Sequence, residues 1–589
     1  MQKNEQQEAN VSLGNKFLNK NMQSFWKDVL KISSCPKRVN IIDGNSGDAD
    51  IIKNFTEKFL TNDIVIYGNN EKSQLLTRLG AAWQSENKQC VAISNYTLKN
   101  IIKKLKPGMG HDFIHTRLLT NASDEFLNNL CIFLNLCYRH CYLPADLLKG
   151  DIDPTIKDKK KNLTESSNYR PVMQSSCLLK IFEMHILGFL SEKISLNPRQ
   201  FGFVKNSSTS DATFLLKNTI SEYMSGKSCM TGLSVDLKQA FDRLNHLKLG
   251  NIMLDRNIPP DLVLIIMHYL HNTLARIRWN QSTGNYFSVE RGVRQGGVLS
   301  PFLFNLYLDN VLNDISNMEV GCSLGMHRVN VIAYADDLFL LAPTIKDLGI
   351  IYAKFKNHMN KLNLCININK TKCIFFSNIK KAKLDVGNVN LNNDVFEIVT
   401  SLPYLGFYID SNFDDSCDVQ YRLKKFYSKF NVLFRNFNGV IIETFLFLFK
   451  TYCTPDYGLS IWSSSKTFRS ASFKTFESAY SSALKKILGA PRYASSHIAA
   501  DICSLPLLKE HVIVNKINFY NRLEQNLNPI IKTNSFSLRN GLFFKDFSNF
   551  FKNKYDIYMN GNDKDALISR IMFCQRNQQR TRLCPFFNF

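Results

Sequence analysis

The sequence of 589 residues predicts an α+β protein with one central sheet. Between about residues 150 and 410, short β-branched or aromatic runs alternate with helical patterns, which is typical of this class. Val235 and residues 329–333 lie in strand-like runs, whereas residues 177–190 and 259–270 have helical spacing. With 44% hydrophobic residues the chain can bury a real core, and its length favours about three or four domains or subdomains.

The charge of the chain indicates a polyanionic partner. It carries 73 Lys and Arg against 50 Asp and Glu, a formal net charge of +23, which favours binding to nucleic acid or to an anionic membrane surface. More than half of this excess lies in the last third, because the residues from Cys417 onward include 25 Lys and Arg against 11 Asp and Glu, a net charge of +14. Motifs in the middle of the chain favour nucleic acid.

The sequence also favours a soluble intracellular protein. Its N-terminus is polar and lacks the apolar segment of a signal peptide. Its longest apolar stretches, such as Leu262–Met267 and Phe445–Phe449, are far too short to cross a membrane. The 15 cysteines are odd in number and none stands in a CxxC pair, so we expect buried thiols in a reducing compartment, the nucleus or the cytoplasm.

A basic helix is predicted over residues 418–437. Apolar side chains recur there at helical spacing, basic side chains fill intervening positions, and Gly439 follows at a suitable end position. The apolar positions are Phe426, Phe430, Leu433, Phe434 and Phe437, and the basic positions are Arg422, Lys424, Lys425, Lys429 and Arg435. Two interpretations stay open: the basic residues form a solvated face, or they bind a phosphate backbone.

Three aspartates carry the predicted chemistry. Asp236 follows the strand-like run that starts at Thr231, and Asp336 and Asp337 interrupt the apolar run 331–342. Two apolar half-strands around an acidic pair predict a hairpin with carboxylates at its tip. Convergent carboxylates can hold two Mg²⁺ ions that retain waters and take up substrate phosphates, and such ions activate an attacking hydroxyl and stabilise a leaving oxygen.

Further motifs stand in order around these aspartates. From the N-terminal side, the set is Asn168-Tyr-Arg-Pro-Val, Gln200-Phe-Gly-Phe, the Asp236 segment, Arg291-Gly-Val-Arg-Gln-Gly-Gly, the Asp336-Asp337 segment, Asn369-Lys-Thr-Lys-Cys and Tyr404-Leu-Gly. The paired glycines after Gln295 allow a close approach of the backbone to a ligand, and Ser300-Pro301 suits the start of a helix. In this order the seven segments resemble the reverse transcriptases of non-LTR (LINE-like) retrotransposons, over about residues 100–410.

This resemblance implies a right-hand polymerase with fingers, a palm built on an antiparallel sheet, and a helical thumb. It places fingers and palm at residues 131–415 and the thumb at 416–500, with a helical N-terminal extension at 1–130 and a basic C-terminal region at 501–589. It implies an RNA-directed DNA polymerase that uses an RNA template, a DNA primer and deoxynucleoside triphosphates, with no membrane. Its cofactors would be two Mg²⁺ ions, with Mn²⁺ as a substitute, and its oligomeric state stays open.

The resemblance also implies roles for individual residues. The catalytic and metal-binding positions are Asp236, Asp336 and Asp337, with the backbone carbonyl of Leu237. The nucleotide-binding positions are Lys157 and Arg170 on the triphosphate, Phe241 as a steric gate against a ribose 2′-OH, Gln295 and Gly296 in the pocket, and Lys372 near the departing pyrophosphate. The primer and template positions are the grip Tyr404, Leu405 and Gly406, and the thumb residues Arg422, Lys424, Lys425 and Lys429.

Some features depart from the resemblance, and alternatives stay open. Lys205 stands where many relatives have Arg, which loses the bidentate fork of the guanidinium. No endonuclease-like segment precedes residue 100 and no zinc knuckle follows the thumb, so we expect a partial chain of such an element. One alternative is a viral or telomerase-like polymerase on the same fold, against which Phe241 argues. The other is a nucleic-acid-binding remnant without catalysis, against which the intact aspartates argue.

Overall fold

The computed structural model of the protein describes residues 2–32, 39–59, 69–84, 91–226, 228–377, 387–437, 439–455, 457–462 and 464–532. Within these ranges, helices surround two main sheets, which confirms the predicted α+β class. Most of the predicted C-terminal region lies outside the described residues. No described helix combines the length and the apolarity that a membrane crossing requires, and the described cysteines are free thiols.

The helices and strands are numbered in chain order. The described helices are α1 (Gln2–Leu18), α2 (Met22–Ile32), α3 (Asp48–Phe59), α4 (Asn69–Gln84), α5 (Asn95–Lys104), α6 (Thr116–Thr120), α7 (Asp124–His140), α8 (Ala145–Leu148), α9 (Cys177–Lys193), α10 (Thr209–Ser225), α11 (His246–Asp255), α12 (Pro260–His271), α13 (Ser300–Ser316), α14 (Ile345–Lys361), α15 (Ser416–Phe437), α16 (Ile442–Tyr452), α17 (Ser464–Arg469), α18 (Ala471–Ile487), α19 (Ser496–Ile502) and α20 (Leu508–Glu524). The described strands are β1 (Lys149–Ile156), β2 (Tyr169–Ser175), β3 (Cys229–Val235), β4 (Leu237–Lys238), β5 (Leu274–Trp279), β6 (Ser282–Thr283), β7 (Phe287–Ser288), β8 (Ser323–Leu324), β9 (His327–Arg328), β10 (Val331–Tyr334), β11 (Asp337–Ala342), β12 (Cys365–Ile366), β13 (Lys372–Ser377), β14 (Gly387–Leu391), β15 (Asp394–Val399), β16 (Ser401–Tyr404) and β17 (Phe407–Asp410).

The central sheet of the described chain has six strands in the order β10-β11-β3-β13-β15-β14. Neighbouring strands are antiparallel except for the parallel pair β13 and β15. Successive side chains of β11 enter different cores: Leu338 and Leu340 share a core with α13 and α14, whereas Phe339 and Leu341 share one with α10. Burial on both faces explains why the sequence of β11 is an almost continuous apolar run.

A second sheet has the order β2-β1-β5-β6, and β7 also pairs with β5. Its small core joins Tyr169 of β2 and Trp279 of β5 to Phe55 of α3. Lys157 directly follows β1, and Arg170 lies near the start of the antiparallel strand β2. The hairpin of β1 and β2 therefore brings these two cations to the same end of the sheet.

The N-terminal helices pack against the C-terminal helices. Phe17 of α1 and both Phe25 and Trp26 of α2 surround the ring of Phe447 in α16. The domain divisions predicted at 130/131 and 500/501 need correction, because the first falls inside α7 and the second inside α19. Each of these helices is a continuous hydrogen-bonded element and packs as one unit.

The predicted basic helix is α15, and its apolar face is buried as predicted. Arg422 does not belong to its exposed side, because only 7% of this residue is accessible to solvent. Its guanidinium binds both carboxylate oxygens of Asp418, at 2.7 and 3.0 Å. The same carboxylate accepts hydrogen bonds from the indole N–H of Trp462 at 2.8 Å and from the backbone N–H of Tyr408 at 3.1 Å. The predicted role of Arg422 as a phosphate contact is therefore corrected: it forms a buried ion pair that joins α15 to its neighbours.

The buried pair predicts different costs for two substitutions in α15. Arg422→Ala leaves the carboxylate of Asp418, which is 0% exposed, without its cation, and should lower the free energy of unfolding by about 3–5 kcal/mol. Lys424→Ala, on the exposed side of the same helix, should change it by no more than about 0.5 kcal/mol. Urea unfolding followed by tryptophan fluorescence measures both. Equal unfolding midpoints for the two variants would contradict the structural role of Arg422.

Candidate active site

Strands β10 and β11 form the predicted hairpin with the acidic pair at its tip. The last pair of the ladder joins Tyr334 to Asp337, so Ala335 and Asp336 make the turn. Ala335 has a positive φ of 56°, which is unfavourable for a residue with a Cβ atom and persists only where the surroundings enforce it. The surroundings therefore hold Ala335 in a conformation that alanine does not favour, and this fixes the turn that carries Asp336.

Asp236 lies beside this tip because β3 pairs with β11. The ladder ends with Val235 opposite Leu338, and one further step along each strand places Asp236 opposite Asp337. The carboxylate of Asp236 accepts a hydrogen bond from the side-chain amide of Asn367 at 2.9 Å, and its backbone carbonyl accepts one from the N–H of the same residue at 2.8 Å. The structure thus brings the three predicted aspartates to one edge of the central sheet.

The carboxylates influence each other's protonation. Burial, followed by the charges of Asp336 and Asp236, raises the pKa of Asp337 to about 6, and the charge of Arg170 opposes this shift. Burial and the charge of Asp236 also raise the pKa of Asp336, against the backbone hydrogen bond of Asp336 and the charge of Arg170. Carboxylates that oppose one another's ionisation form a donor set in which a divalent cation relieves the repulsion.

Arg170 and Lys370 lie near these aspartates, and Lys157 lies near both cations. Arg170 is close enough to both hairpin aspartates to lower their pKa. The pKa of Lys157 is lowered by burial and then by the nearby charges of Arg170 and Lys370. Lys370 lies 3.8 Å from Asp236, measured between Nζ and Oδ2. Cations that disfavour one another's charge form a site to which a triphosphate would bind with charge-assisted hydrogen bonds.

The structure corrects the assignment of Lys372. This lysine begins β13 and stands opposite Glu397 of the parallel strand β15, and the two side chains form an ion pair. Lys370, in the turn before β13, is the lysine of this motif that lies beside Asp236. The sequence Asn369-Lys-Thr-Lys offers two lysines, and the strand register decides between them.

The segment Gln200-Phe-Gly supports the turn of the catalytic hairpin. The side-chain Oε1 of Gln200 accepts hydrogen bonds from the N–H groups of Ala335 at 2.8 Å and of Gly202 at 2.9 Å. A Cβ atom added to Gly202 would overlap the backbone of Tyr334 and Ala335. Glycine is required at this position because two backbones approach each other closely.

The ring of Phe241, five residues after Asp236, packs against α13. It stacks on Phe304 of α13, with 4.5 Å between the ring centroids and 25° between the ring planes, and it is half-buried. The backbone carbonyl of Phe241 accepts a hydrogen bond from the N–H of Val293 at 2.8 Å. Contacts to both the ring and the backbone restrict the movement of this side chain.

Gln295 and Gly296 lie between the turn of Phe241 and β2, the strand that carries Arg170. The backbone carbonyl of Gln295 accepts a hydrogen bond from the N–H of Met173 in β2, and its side-chain amide donates one to Asp242, both at 2.7 Å. Gly296 has a φ of 109°, and a Cβ atom there would lie 2.9 Å from the carbonyl oxygen of Met173. Both the conformation and the space require glycine at this position.

Two buried charged residues support this loop from inside. Arg294 donates hydrogen bonds to the carbonyl of Leu148 at 2.7 Å and to the hydroxyl of Thr273 at 2.9 Å. Glu183 of α9 accepts a hydrogen bond from the backbone N–H of Val298 at 2.6 Å. Because buried charges are costly without partners, these bonds restrict the loop to one arrangement.

The segment Tyr404-Leu-Gly forms the turn between β16 and β17, with Tyr404 paired to Phe407. Leu405 and Gly406 have φ values of 48° and 75°, the left-handed conformations that a two-residue hairpin turn favours. Tyr404 is only 3% exposed, and its ring packs edge-on against Phe339 of β11. The prediction that Tyr404 grips the primer is corrected, since its side chain supports the catalytic strand and the exposed part of this turn is Gly406.

Several residues of the site were not predicted to have a role, among them Gln200, Lys370, Asp242 and Glu183. Gln200 and Lys370 stand inside motifs that the sequence displays, so their neighbourhood could have indicated them. Asp242 directly follows the predicted gate and could have been found by the same reasoning. Glu183 stands in an ordinary helical pattern, and nothing in the sequence distinguishes it from a surface glutamate.

The donor atoms present fit divalent metal ions. In the described part of the chain, no group of three or more His, Cys, Asp or Glu side chains is arranged so that it could hold a metal ion by itself. Mg²⁺ commonly uses one or two carboxylates and completes its shell with waters and substrate phosphates, so three convergent carboxylates are sufficient donors. Leu237, whose backbone carbonyl is the predicted fourth donor, begins β4 directly after Asp236.

A comparison with protein families matches residues 157–409 to the reverse transcriptase (RNA-dependent DNA polymerase) family. The matched range contains the three aspartates, the nearby cations, the gate ring and the loop of Gln295. It begins at Lys157 and ends in β17, so it covers most of both sheets described above. The right-hand polymerase fold implied by the sequence agrees with this match.

Several curated relatives are proteins of mobile elements. The chain is 28% identical over 259 residues to the Pol polyprotein of the retrotransposable element R2 from Nasonia vitripennis, covering 44% of this chain and 24% of that protein. It is 27% identical over 285 residues to the R2 protein of Popillia japonica, covering 48% and 39%. It is 23% identical over 456 residues to the RNA-directed DNA polymerase of the mobile element jockey from Drosophila funebris, covering 74% and 48%.

The chain thus spans a quarter to a half of the length of these relatives. The resemblance found in the motifs is confirmed by the family match and by the relatives together. The protein carries a reverse transcriptase domain of the kind found in non-LTR retrotransposons.

Proposed function

We propose that this chain is an RNA-directed DNA polymerase that adds deoxynucleotides to the 3′-OH of a DNA primer on an RNA template. The observation that carries this proposal is the convergence of Asp236, Asp336 and Asp337 beside Arg170, which has Lys157 as a neighbouring cation. Phosphoryl transfer needs metal ligands, positive charge on the triphosphate and fixed geometry, with little covalent chemistry from the protein. The residues at this edge of the sheet supply these requirements.

Each group at the site has a role in this reaction. Asp236, Asp336 and Asp337 would hold two Mg²⁺ ions, or Mn²⁺ as a substitute, which activate the primer hydroxyl and stabilise the leaving pyrophosphate. Lys157 and Arg170 would bind the triphosphate oxygens. Lys370, which lies beside Asp236, would neutralise charge on the phosphates that leave.

The choice of sugar follows from the gate. The ring of Phe241 stacks on Phe304 and its backbone carbonyl is bound by the N–H of Val293, so a 2′-OH directed at the ring would clash with a side chain that has little freedom to move. Gln295 and Gly296 would line the pocket for the incoming nucleotide. A polymerase of ribonucleotides on the same fold is therefore the weaker interpretation, and a remnant without catalysis is disfavoured because the three aspartates and the cations are all present.

We assign the thumb to the helices from Ser416 onward, since α15 begins there, and the fingers and palm to the two sheets before it. Lys424, Lys425 and Lys429 of α15 are exposed. At roughly 100° per residue, Lys425 and Lys429 share one side of the helix, whereas Lys424 lies a quarter-turn away. Lys425 and Lys429 would therefore contact the same stretch of phosphate backbone, and Lys424 would flank it.

The first prediction concerns the aspartates. Asp336→Asn removes a charged ligand and almost no volume, so it should lower the rate of dTTP incorporation on poly(rA)/oligo(dT) about a thousandfold or more while binding of the duplex persists. Asp255→Asn, at an exposed ion pair with Arg78, is the matched control and should keep its activity. Extension by Asp336→Asn at the wild-type rate would contradict the metal-site assignment, and a wild-type protein that extends no primer would refute the proposed function.

The second prediction concerns the gate. Phe241→Val opens space beside the sugar, so the ratio of kcat/KM for UTP to that for dUTP should rise about ten- to hundredfold. These two nucleotides differ only in the 2′-OH, so the ratio isolates the sugar. A wild-type enzyme that uses both equally would favour an RNA polymerase, and an unchanged ratio in the variant would exclude Phe241 as the gate.

The third prediction concerns the exposed lysines of α15. Lys425→Gln with Lys429→Gln should weaken binding of a short RNA–DNA duplex and lower the slope of log affinity against log salt by roughly 0.7–0.9 for each phosphate that a lysine no longer neutralises. Lys103→Gln with Lys104→Gln, exposed residues of α5, removes the same charge elsewhere and is the control. Equal salt slopes for the two double variants would mean that net charge alone, and not this face, binds the duplex.

A further inference from the structure

The carboxylate of Asp242 lies next to the gate but outside the group of three aspartates. It ends the 3₁₀ turn Ala240–Asp242, directly after Phe241. The side-chain amide of Gln295 donates a hydrogen bond to it at 2.7 Å. Lys157, Arg291 and Arg243 are the nearby cations, and their charges favour the ionised carboxylate against the effect of burial, which raises its pKa.

The gate turn and the loop that begins at Gly292 touch along their backbones. The N–H of Gly292 donates to the carbonyl of Leu244, and the N–H of Val293 donates to that of Phe241, both at 2.8 Å. Gly292 has a φ of 78°, and a Cβ atom there would lie 2.7 Å from the Cα atom of Asp242. No larger residue fits, so the loop is seated directly on the gate turn.

The far end of the same loop is attached to the strand of the triphosphate cations. The N–H of Met173 donates to the carbonyl of Gln295 at 2.7 Å, and Met173 lies three residues after Arg170 in β2. The bond between Gln295 and Asp242 therefore closes a chain of contacts from the gate turn, through the loop, to the strand of Arg170. The backbone bonds hold the start of the loop, and this side-chain bond joins its nucleotide-facing end to the gate.

We infer that Asp242 is a positioning residue that sets the selectivity for deoxynucleotides by holding Gln295 and the Phe241 gate in one arrangement. This inference rests on the proposed function. Asp242 itself touches no substrate, and it acts through Phe241 and Gln295. Without its bond, the gate turn and the loop can separate slightly, and a 2′-OH needs only the space of one oxygen atom.

The experiment compares Asp242→Ala, Asp242→Asn and wild type by the ratio of kcat/KM for dUTP to that for UTP. Asp242→Ala should lower this ratio about tenfold, a difference of about 1.4 kcal/mol between the two nucleotides. Asp242→Asn keeps an oxygen that accepts from Gln295 and should retain most of the ratio. A merely structural role would lower the use of both nucleotides in parallel, and an unchanged ratio in Asp242→Ala would overturn the inference, as would an equal loss of the ratio in Asp242→Asn.

A second variant guards against misfolding. Gln295→Met removes the donor and leaves Asp242 in place, so it should lower the ratio by a similar factor, and the double variant Asp242→Ala with Gln295→Met should lower it no further. Asp255→Ala is the control for loss of an acidic side chain at a distance. Additive losses in the double variant would overturn the inference, because two residues that act through one bond cannot lose it twice.

Binding to a blocked primer separates this inference from the proposed function. A primer that ends in a dideoxynucleotide cannot be extended, so the stabilisation of its complex by dUTP and by UTP measures nucleotide selection without chemistry. A wild-type protein that selects dUTP here but extends no normal primer would refute the proposed function and leave the role of Asp242 testable by binding. A wild-type protein that selects dUTP while Asp242→Ala selects it equally well would overturn the inference alone.

Discussion

The arrangement of three carboxylates at one edge of the central sheet is the constraint on which the rest of the structure depends. Their charges oppose one another, and the surrounding protein removes water from them, so the pKa of Asp337 rises to about 6. What brings them together is the register between β3 and β11, in which Val235 stands opposite Leu338. A slip of one residue would exchange the two faces of β11. The apolar side chains on both faces of the sheet therefore specify the site as well as the fold.

Close contacts between backbones then hold the parts of the site around these carboxylates. Gly202 lies against the turn of the catalytic hairpin, Gly292 lies against the gate turn, and Gly296 lies against β2. Each contact leaves no room for a Cβ atom, which explains why glycines recur in the motifs of this sequence. Hydrogen bonds of Gln200 and Gln295 lie beside these glycines. They orient the backbone segments that the glycines allow to come close together. The site is thus assembled from loops of separate segments, and its geometry depends on their contacts more than on any single element.

Features that depend on local pattern could be predicted from the sequence, whereas features that depend on a distant partner could not. The acidic hairpin, the helix that starts at Ser300 and the buried face of α15 all follow from alternation, capping and helical spacing. The roles of Arg422, Lys372 and Tyr404 did not, because a side chain that binds a substrate and one that contacts the rest of the protein look alike in a sequence until the partner is known. Asp418 lies one turn before Arg422, yet the spacing is equally common on helix surfaces. The domain divisions inside α7 and α19 were misplaced for a related reason, since composition changes along the chain without marking where a helix ends.

For the same reason, the net charge of the chain does not show which cations lie on the surface that binds nucleic acid. Part of the positive charge in the last third is already used within the protein: Arg422 is buried and pairs with Asp418, Lys516 is 1% exposed and donates to the carbonyl of Trp462, and the exposed Arg522 pairs with the buried Asp211 of α10. The bonds of Lys516 and Arg522 fasten α20 to its neighbours, and Arg422 neutralises a buried carboxylate of its own helix. Net charge therefore predicts the class of partner, because long-range attraction depends on the sum of charges. Only burial and pairing decide which cations remain to bind it, and in α15 these include the exposed residues Lys424, Lys425 and Lys429.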